Sequence, residues 1–167
     1  MSNHDYKAIC VMTGKMVYGA YHKHLPFTPN PIGGQVSEKD YKHLIIQDDF
    51  SDWSMPRGMR VVEIDPTTLC KATSLRDKNG KRIYQKDITE LEVDGEVRRF
   101  VVDIKTVERE VVSHHSFDDP TAKVAITGVV FQWGGFDLFP CVDEEGTLDN
   151  EKMTIVGNVI EQSLIES

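Results

Sequence analysis

From residue 6 to residue 160 the chain is a succession of short runs rich in Val, Ile, Thr and Tyr, each closed by Gly, Pro, Asn or Asp. β-Branched and aromatic side chains suit a pleated, half-buried surface, and the punctuating residues suit the turns between strands. The pattern predicts strands at 6–12, 16–21, 43–47, 59–64 and 69–73. A second series follows at 87–93, 96–104, 106–112, 124–133, 135–142 and 153–160. Apolar residues do not recur at helical spacing over a dozen positions anywhere in the chain. One short helix is expected at Ser37–His43, with Ser37 as its cap and Asp40 at its third position. The fold class expected from the pattern is mainly β: a single domain with long loops and at most one short helix.

Two hairpins can be set in register. Val93-Asp94-Gly95-Glu96 places Asp-Gly at the centre of a tight turn, where positive backbone dihedrals are required. Counting outward sets Glu92 opposite Val97 and Glu90 opposite Arg99, a cross-strand ion pair. Trp133-Gly134-Gly135-Phe136 makes a second turn, with Trp133 facing Phe136 and Phe131 facing Leu138. An aromatic cluster in the core is the expectation there.

At 167 residues and a net charge of −8 the chain reads as one domain, 1–167. It has an N-terminal β-rich part (1–68) and a motif-bearing barrel part (69–167). A chain this long buries roughly 70% of its unfolded surface and needs no staples. Cys10, Cys70 and Cys141 are far apart and odd in number, so neither a disulfide framework nor a zinc ribbon is expected; they read as small buried hydrophobes in a reducing cytoplasm. Met1–Asp5 has no basic stretch followed by an apolar run, and no run approaches the length of about 18 residues that a membrane helix needs. Most of the net negative charge lies in residues 137–167, and such a surface disfavours non-specific binding to phosphate. The acidic run Asp143-Glu144-Glu145-Gly146 reads as a turn.

The stretch TSLRDKNGKRIYQKDI, residues 73–88, is the most ordered in the sequence. Asp77 can accept hydrogen bonds from backbone amides two residues on, and Asn79-Gly80 tolerates the left-handed conformation that closes the turn. Ile83 and Ile88 face the core, Tyr84 buries its ring with the hydroxyl at the edge, and Asp87 can tie down loop amides before the next strand. Every residue has a structural task. The same stretch is basic: Arg76, Lys78, Lys81, Arg82 and Lys86 outweigh Asp77 and Asp87. Lys78, Lys81, Arg82 and Lys86 are therefore the candidate binding residues if the tip engages nucleic acid, with Tyr84 as the nearby aromatic.

TSLRDKNGKRIYQKDIT resembles the signature of the YopX family of phage and prophage proteins. Ile64-Asp65-Pro66-Thr67-Thr68 resembles that family's lead-in, and Ile155-Val156-Gly157-Asn158-Val159-Ile160-Glu161 is similar to its closing segment. The opening Tyr6-Lys7-Ala8 is a fainter match. Ser74 and Lys86 stand where the family pattern has Gly, and Ile160 and Gln162-Ser163 replace its closing Tyr and Asn-Pro. The resemblance implies a small β-barrel-rich fold, SH3-like or a pseudo-barrel, encoded by a phage or prophage and acting in the cytoplasm of a bacterial host. It marks Asp77, Asn79, Gly80, Ile83, Tyr84, Asp87, Gly157 and Asn158 as structural motif residues, and it supplies no catalytic residues.

Other chemistry is weakly signalled. His22-Lys23-His24 would put two imidazoles on one face of a strand. His114-His115 with Asp118 and Asp119 offers nitrogen and oxygen ligands in one loop, but neither set has structural zinc spacing. No nucleophile elbow or phosphate-cradling loop is present. The function expected is a non-catalytic interaction module without a cofactor. Its partner would be a host or phage protein or a second copy of itself. The contact surfaces expected are the loops His22–Asp40 (with Pro26, Pro29, Pro31, Gly33 and Gly34) and Ser113–Lys123, and an exposed strand edge. A nucleic-acid-binding barrel and a metal-dependent enzyme are the alternatives.

Overall fold

The computed structural model describes residues 5–28, 33–49, 58–112 and 121–166. The chain divides into two compact units, Met1–Ala72 and Thr73–Ser167.

In the first unit β1 (Tyr6–Ile9), β2 (Met16–His24), β3 (Lys42–Asp48) and β4 (Met59–Glu63) form an antiparallel meander in the order β4-β3-β2-β1. β5 (Cys70–Arg76) begins in this unit, with Lys71 opposite Tyr6. One bridge, Cys10 to Ile64, joins the chain just past β4 to the chain just past β1. It is flanked by hydrogen bonds from Val11 N to Glu63 O and from Asp65 N to Ile9 O. Ala8, Cys10, Ile45, Val62 and Ile64 are buried in the curl this makes, with Tyr6, Val17, Tyr21 and Leu69 packed around them. Alternation explains the set: Ile45 lies opposite both Tyr21 and Val62, so three strands turn the same face inward. Gly19 is required by packing, since a Cβ there would lie 2.3 Å from the Ile46 carbonyl oxygen.

The second unit holds the end of β5, β6 (Arg82–Tyr84) beside it, and a five-stranded antiparallel sheet. That sheet contains β7 (Asp87–Val93), β8 (Glu96–Val112), β9 (Thr121–Trp133), β10 (Phe136–Leu138) and β11 (Thr154–Asn158), in the order β10-β9-β8-β7-β11. Its core is Ile83, Phe100, Val102, Phe131 and Met153, with Phe100 and Phe131 edge to face at 6.3 Å. Among the described residues no helix is long and apolar enough to cross a membrane.

The mainly β architecture and the Asp94-Gly95 hairpin match the sequence expectation. Asp94 and Gly95 take φ of +52° and +80°, Glu92 lies opposite Val97, and Arg99 Nε donates to Glu90 Oε1 at 2.6 Å. Several expectations are corrected. Among the described residues neither sheet closes into a barrel: the first unit has one closing bridge, and the five-stranded sheet ends at β10 and β11. β10 is three residues long and runs into Phe139-Pro140, where the missing N–H ends pairing. Residues 96–104 and 106–112 form one continuous strand. The helix expected at Ser37–His43 is a single 3-10 turn, Glu38–Asp40, because His43 is already paired in β3. Among the described residues the one α-helix is α1 (Val159–Glu166), where a strand end was expected. Trp133 does face Phe136 and Phe131 does face Leu138, but only Phe131 is buried; Trp133 lies past the covered part of the sheet, under the Arg98 guanidinium. Cys141 is exposed, unlike Cys10 and Cys70.

Candidate functional site

Two of the segments that carry the family resemblance, 73–89 and 155–161, lie far apart in sequence and side by side in the second unit. β7 pairs with β11, setting Asp87 opposite Asn158 and Ile88 opposite Gly157, with a bulge that lets Val156 stand out of the ladder. Asp87 is buried. Its Oδ2 accepts from Tyr84 N at 2.8 Å and its Oδ1 from Asn158 Nδ2 at 2.9 Å. Asn158 Oδ1 then accepts from Ile160 N at 2.9 Å, which caps the first turn of α1. Val159 N donates to the Lys86 carbonyl, so the helix start is held from both sides. Lys86 takes φ of +65°, a left-handed conformation, at one of the two places where the family pattern has glycine.

Ten residues earlier, Asp77 organises the turn. Its Oδ1 accepts from Asn79 N and Lys81 N, both at 2.9 Å, and its Oδ2 from Ile155 N at 3.3 Å, reaching into β11. Gly80 closes the turn at φ +75°. Burial raises the carboxyl's pKa, but the amides of Lys81, Ile155 and Asn79 outweigh burial and hold it below its ordinary value. The same turn recurs at Asp143, whose Oδ1 accepts from Glu145 N and Thr147 N while Gly146 sits at φ +83°. Chemistry at either aspartate would first have to release these amides.

The candidate binding residues are spread over this surface. Lys78 and Lys81 are exposed at the tip, while Arg82 and Lys86 are half-buried. Arg76 curls back to donate to the Gly80 carbonyl at 2.8 Å. Ile83 and Ile88 are in the core as expected. Tyr84 is buried, only 6% exposed, so its ring offers no face on which a base could stack.

In the first unit the bridge between Cys10 and Ile64 builds a surface that no local pattern in the sequence announced. A depression of about 570 Å³ opens where the ends of β1 and β4 meet the start of β3. It is lined among others by Cys10, Lys39, Tyr41, His43, Glu63 and Pro66. The 3-10 turn is held by Ser37 N and Oγ, both bonded to Asp40 Oδ2, and it presents Lys39 and Tyr41. Lys23 pairs with Glu38 and lies 4.2 Å from the centre of the Tyr41 ring; Lys42 pairs with Glu63 at 3.2 Å. Tyr21 Oη and His43 Nδ1 are 2.7 Å apart, which fixes the imidazole. A hydrogen bond with the Thr13 side chain is the largest influence on Cys10 and, against burial, holds its thiol below the usual range. The charges lining this depression are largely paired, which suits a surface that recognises shape more than one that reacts.

His22 and His24 do share a face of β2, with ring centres 6.0 Å apart. Among the described residues no group of three or more His, Cys, Asp or Glu is gathered to hold a metal ion. His114, His115, Asp118 and Asp119 lie outside the described residues, as do Pro29 and Pro31. The chain was compared with family models, curated proteins and solved structures, and it matches none of them.

Proposed function

We propose that the chain is a YopX-like accessory protein of a phage or prophage that works in the bacterial cytoplasm as a non-catalytic binding module. On this reading the motif residues build the second unit, and the depression in the first unit receives a protein partner of host or phage origin. The observation that carries the proposal is how the motif carboxylates are used: Asp77 and Asp87 bond backbone amides and Asn158, leaving neither poised for acid–base work. The adjacency of the two resemblance segments and the left-handed Lys86 agree with the family reading. The depression supports the binding reading because concave surfaces with a few placed polar groups are where ligands usually dock. The nucleic-acid alternative rests on Lys78 and Lys81 without a stacking partner at Tyr84.

Affinity capture from host lysate, with and without nuclease, tests the reading. The result expected is one protein retained after nuclease by the wild type and lost by a Lys39→Glu, Tyr41→Ala variant. Capture that vanishes with nuclease, or that ignores the variant, overturns it.

A further inference from the structure

β8 and β9 pair from Val101 opposite Gln132 to Val112 opposite Thr121. β7 reaches along β8 only to Val101, and β10 meets β9 only from Phe131 onward. The remainder is a ribbon of two strands, and among the described residues no other strand pairs with the outer edge of β9 before Phe131. A two-stranded ribbon is marginal in water by itself, and a long edge without charges recruits another strand.

The edges of the ribbon differ in what they can recruit. A two-fold axis that pairs a strand antiparallel with its own copy sets residues of the same face opposite one another, so a residue on the axis meets itself. On β8 an axis at Glu108 or Glu110 brings two carboxylates together. An axis at Arg109 sets Glu108 against Glu110, and the Arg109 guanidinium, which reaches across β9 to the Asp137 carbonyl, does not offset them. β9 has one charged side chain, Lys123, in its whole length. With the axis at Ala125, which is exposed, Lys123 meets Thr127 and small Ala122 meets Gly128. Val124 meets Ile126, a β-branched pair, and the same pair repeats across the axis. Ile126 is 37% exposed in the single chain and gains cover in this arrangement.

We propose that the protein pairs with a second copy of itself along the edge of β9, antiparallel about Ala125, so that the two ribbons form one four-stranded sheet. The inference stands on the second unit and is independent of the depression in the first.

Sedimentation equilibrium over a concentration series tests it. The wild type is expected to form dimers. Ala125→Lys, which sets two lysines face to face beside Lys123, should weaken them about tenfold or more. Thr127→Glu, which sets a carboxylate opposite the partner's Lys123, should tighten them about twofold at low salt and not at high salt. In a Cys141→Ser background, Ala125→Cys should form an intermolecular disulfide with oxidised glutathione. Melting curves of each variant check that the fold is intact. A wild type that stays monomeric at every concentration overturns the proposal. So does a dimer indifferent to Ala125→Lys and not cross-linked through Ala125→Cys.

Discussion

Asp87 Oδ1 and Asn158 Nδ2 are 2.9 Å apart in the buried interior of the second unit, bridging residues that are 71 positions apart in sequence. Through this contact one carboxylate fixes a β-turn amide, a strand pairing and the cap of a helix. The other motif positions do related work, and their substitutions have distinct expected outcomes.

Asp77 gives a pH-dependent stability. Its folded pKa is depressed, so its contribution is complete above the unfolded value and is lost as pH falls through the folded one. Asp77→Asn turns an amide N–H towards a backbone donor and should cost about 1–3 kcal/mol at neutral pH. That difference from the wild type should shrink as pH falls below the ordinary aspartate range and through the depressed folded value. Urea unfolding across that range is the check, and a pH-independent difference would count against the role.

Gly80 and Lys81 are neighbours with opposite sensitivities. A Cβ at Gly80 meets nothing within 4 Å, so the cost of Gly80→Val is one of backbone conformation. It should exceed about 1 kcal/mol, whereas Lys81→Glu on the exposed tip should stay within about 0.5 kcal/mol. Equal melting temperatures would contradict the turn.

Lys86 holds a left-handed conformation in a residue with a Cβ. Lys86→Gly removes that strain and should raise stability by about 0.5–1 kcal/mol after allowing for the entropy of glycine. The denaturation midpoint should rise without a change of slope.

Gly19 should tolerate nothing larger. Gly19→Ala drives a methyl into the Ile46 carbonyl oxygen at 2.3 Å and the Ile45 side chain at 2.8 Å. A loss of about 3 kcal/mol is expected, read from thermal melting, because backbone cannot move aside as a side-chain tip can.

Much of this fold is legible in the residues, and the gaps have physical reasons. β-Branched runs and Asp94-Gly95 disclose strands and register because both signals are local. α1 is not legible because Val159 and Ile160 read as the end of a strand; its start is set by Asn158, and Asn158 is set by Asp87 from far away in the sequence. Alternation shows that Trp133 and Phe136 share a face but not whether anything covers that face. The turn at Asp77 is legible because two of its donors, Asn79 and Lys81, are local, whereas the Ile155 amide comes from β11 and is not. The depression is not legible, because its lining comes from three separate segments, brought together by the Cys10–Ile64 bridge and by the pairing of β3 with β4.

The structural role of the motif is tested most directly by a double-mutant cycle on Asp87 and Asn158. Urea unfolding would be measured for the wild type, Asp87→Ala, Asn158→Ala and the double variant. A lock between these side chains predicts large single losses and a coupling energy of about 2 kcal/mol. Losses that simply add, or single variants within about 0.5 kcal/mol of the wild type, would show that the motif is kept for something other than the fold.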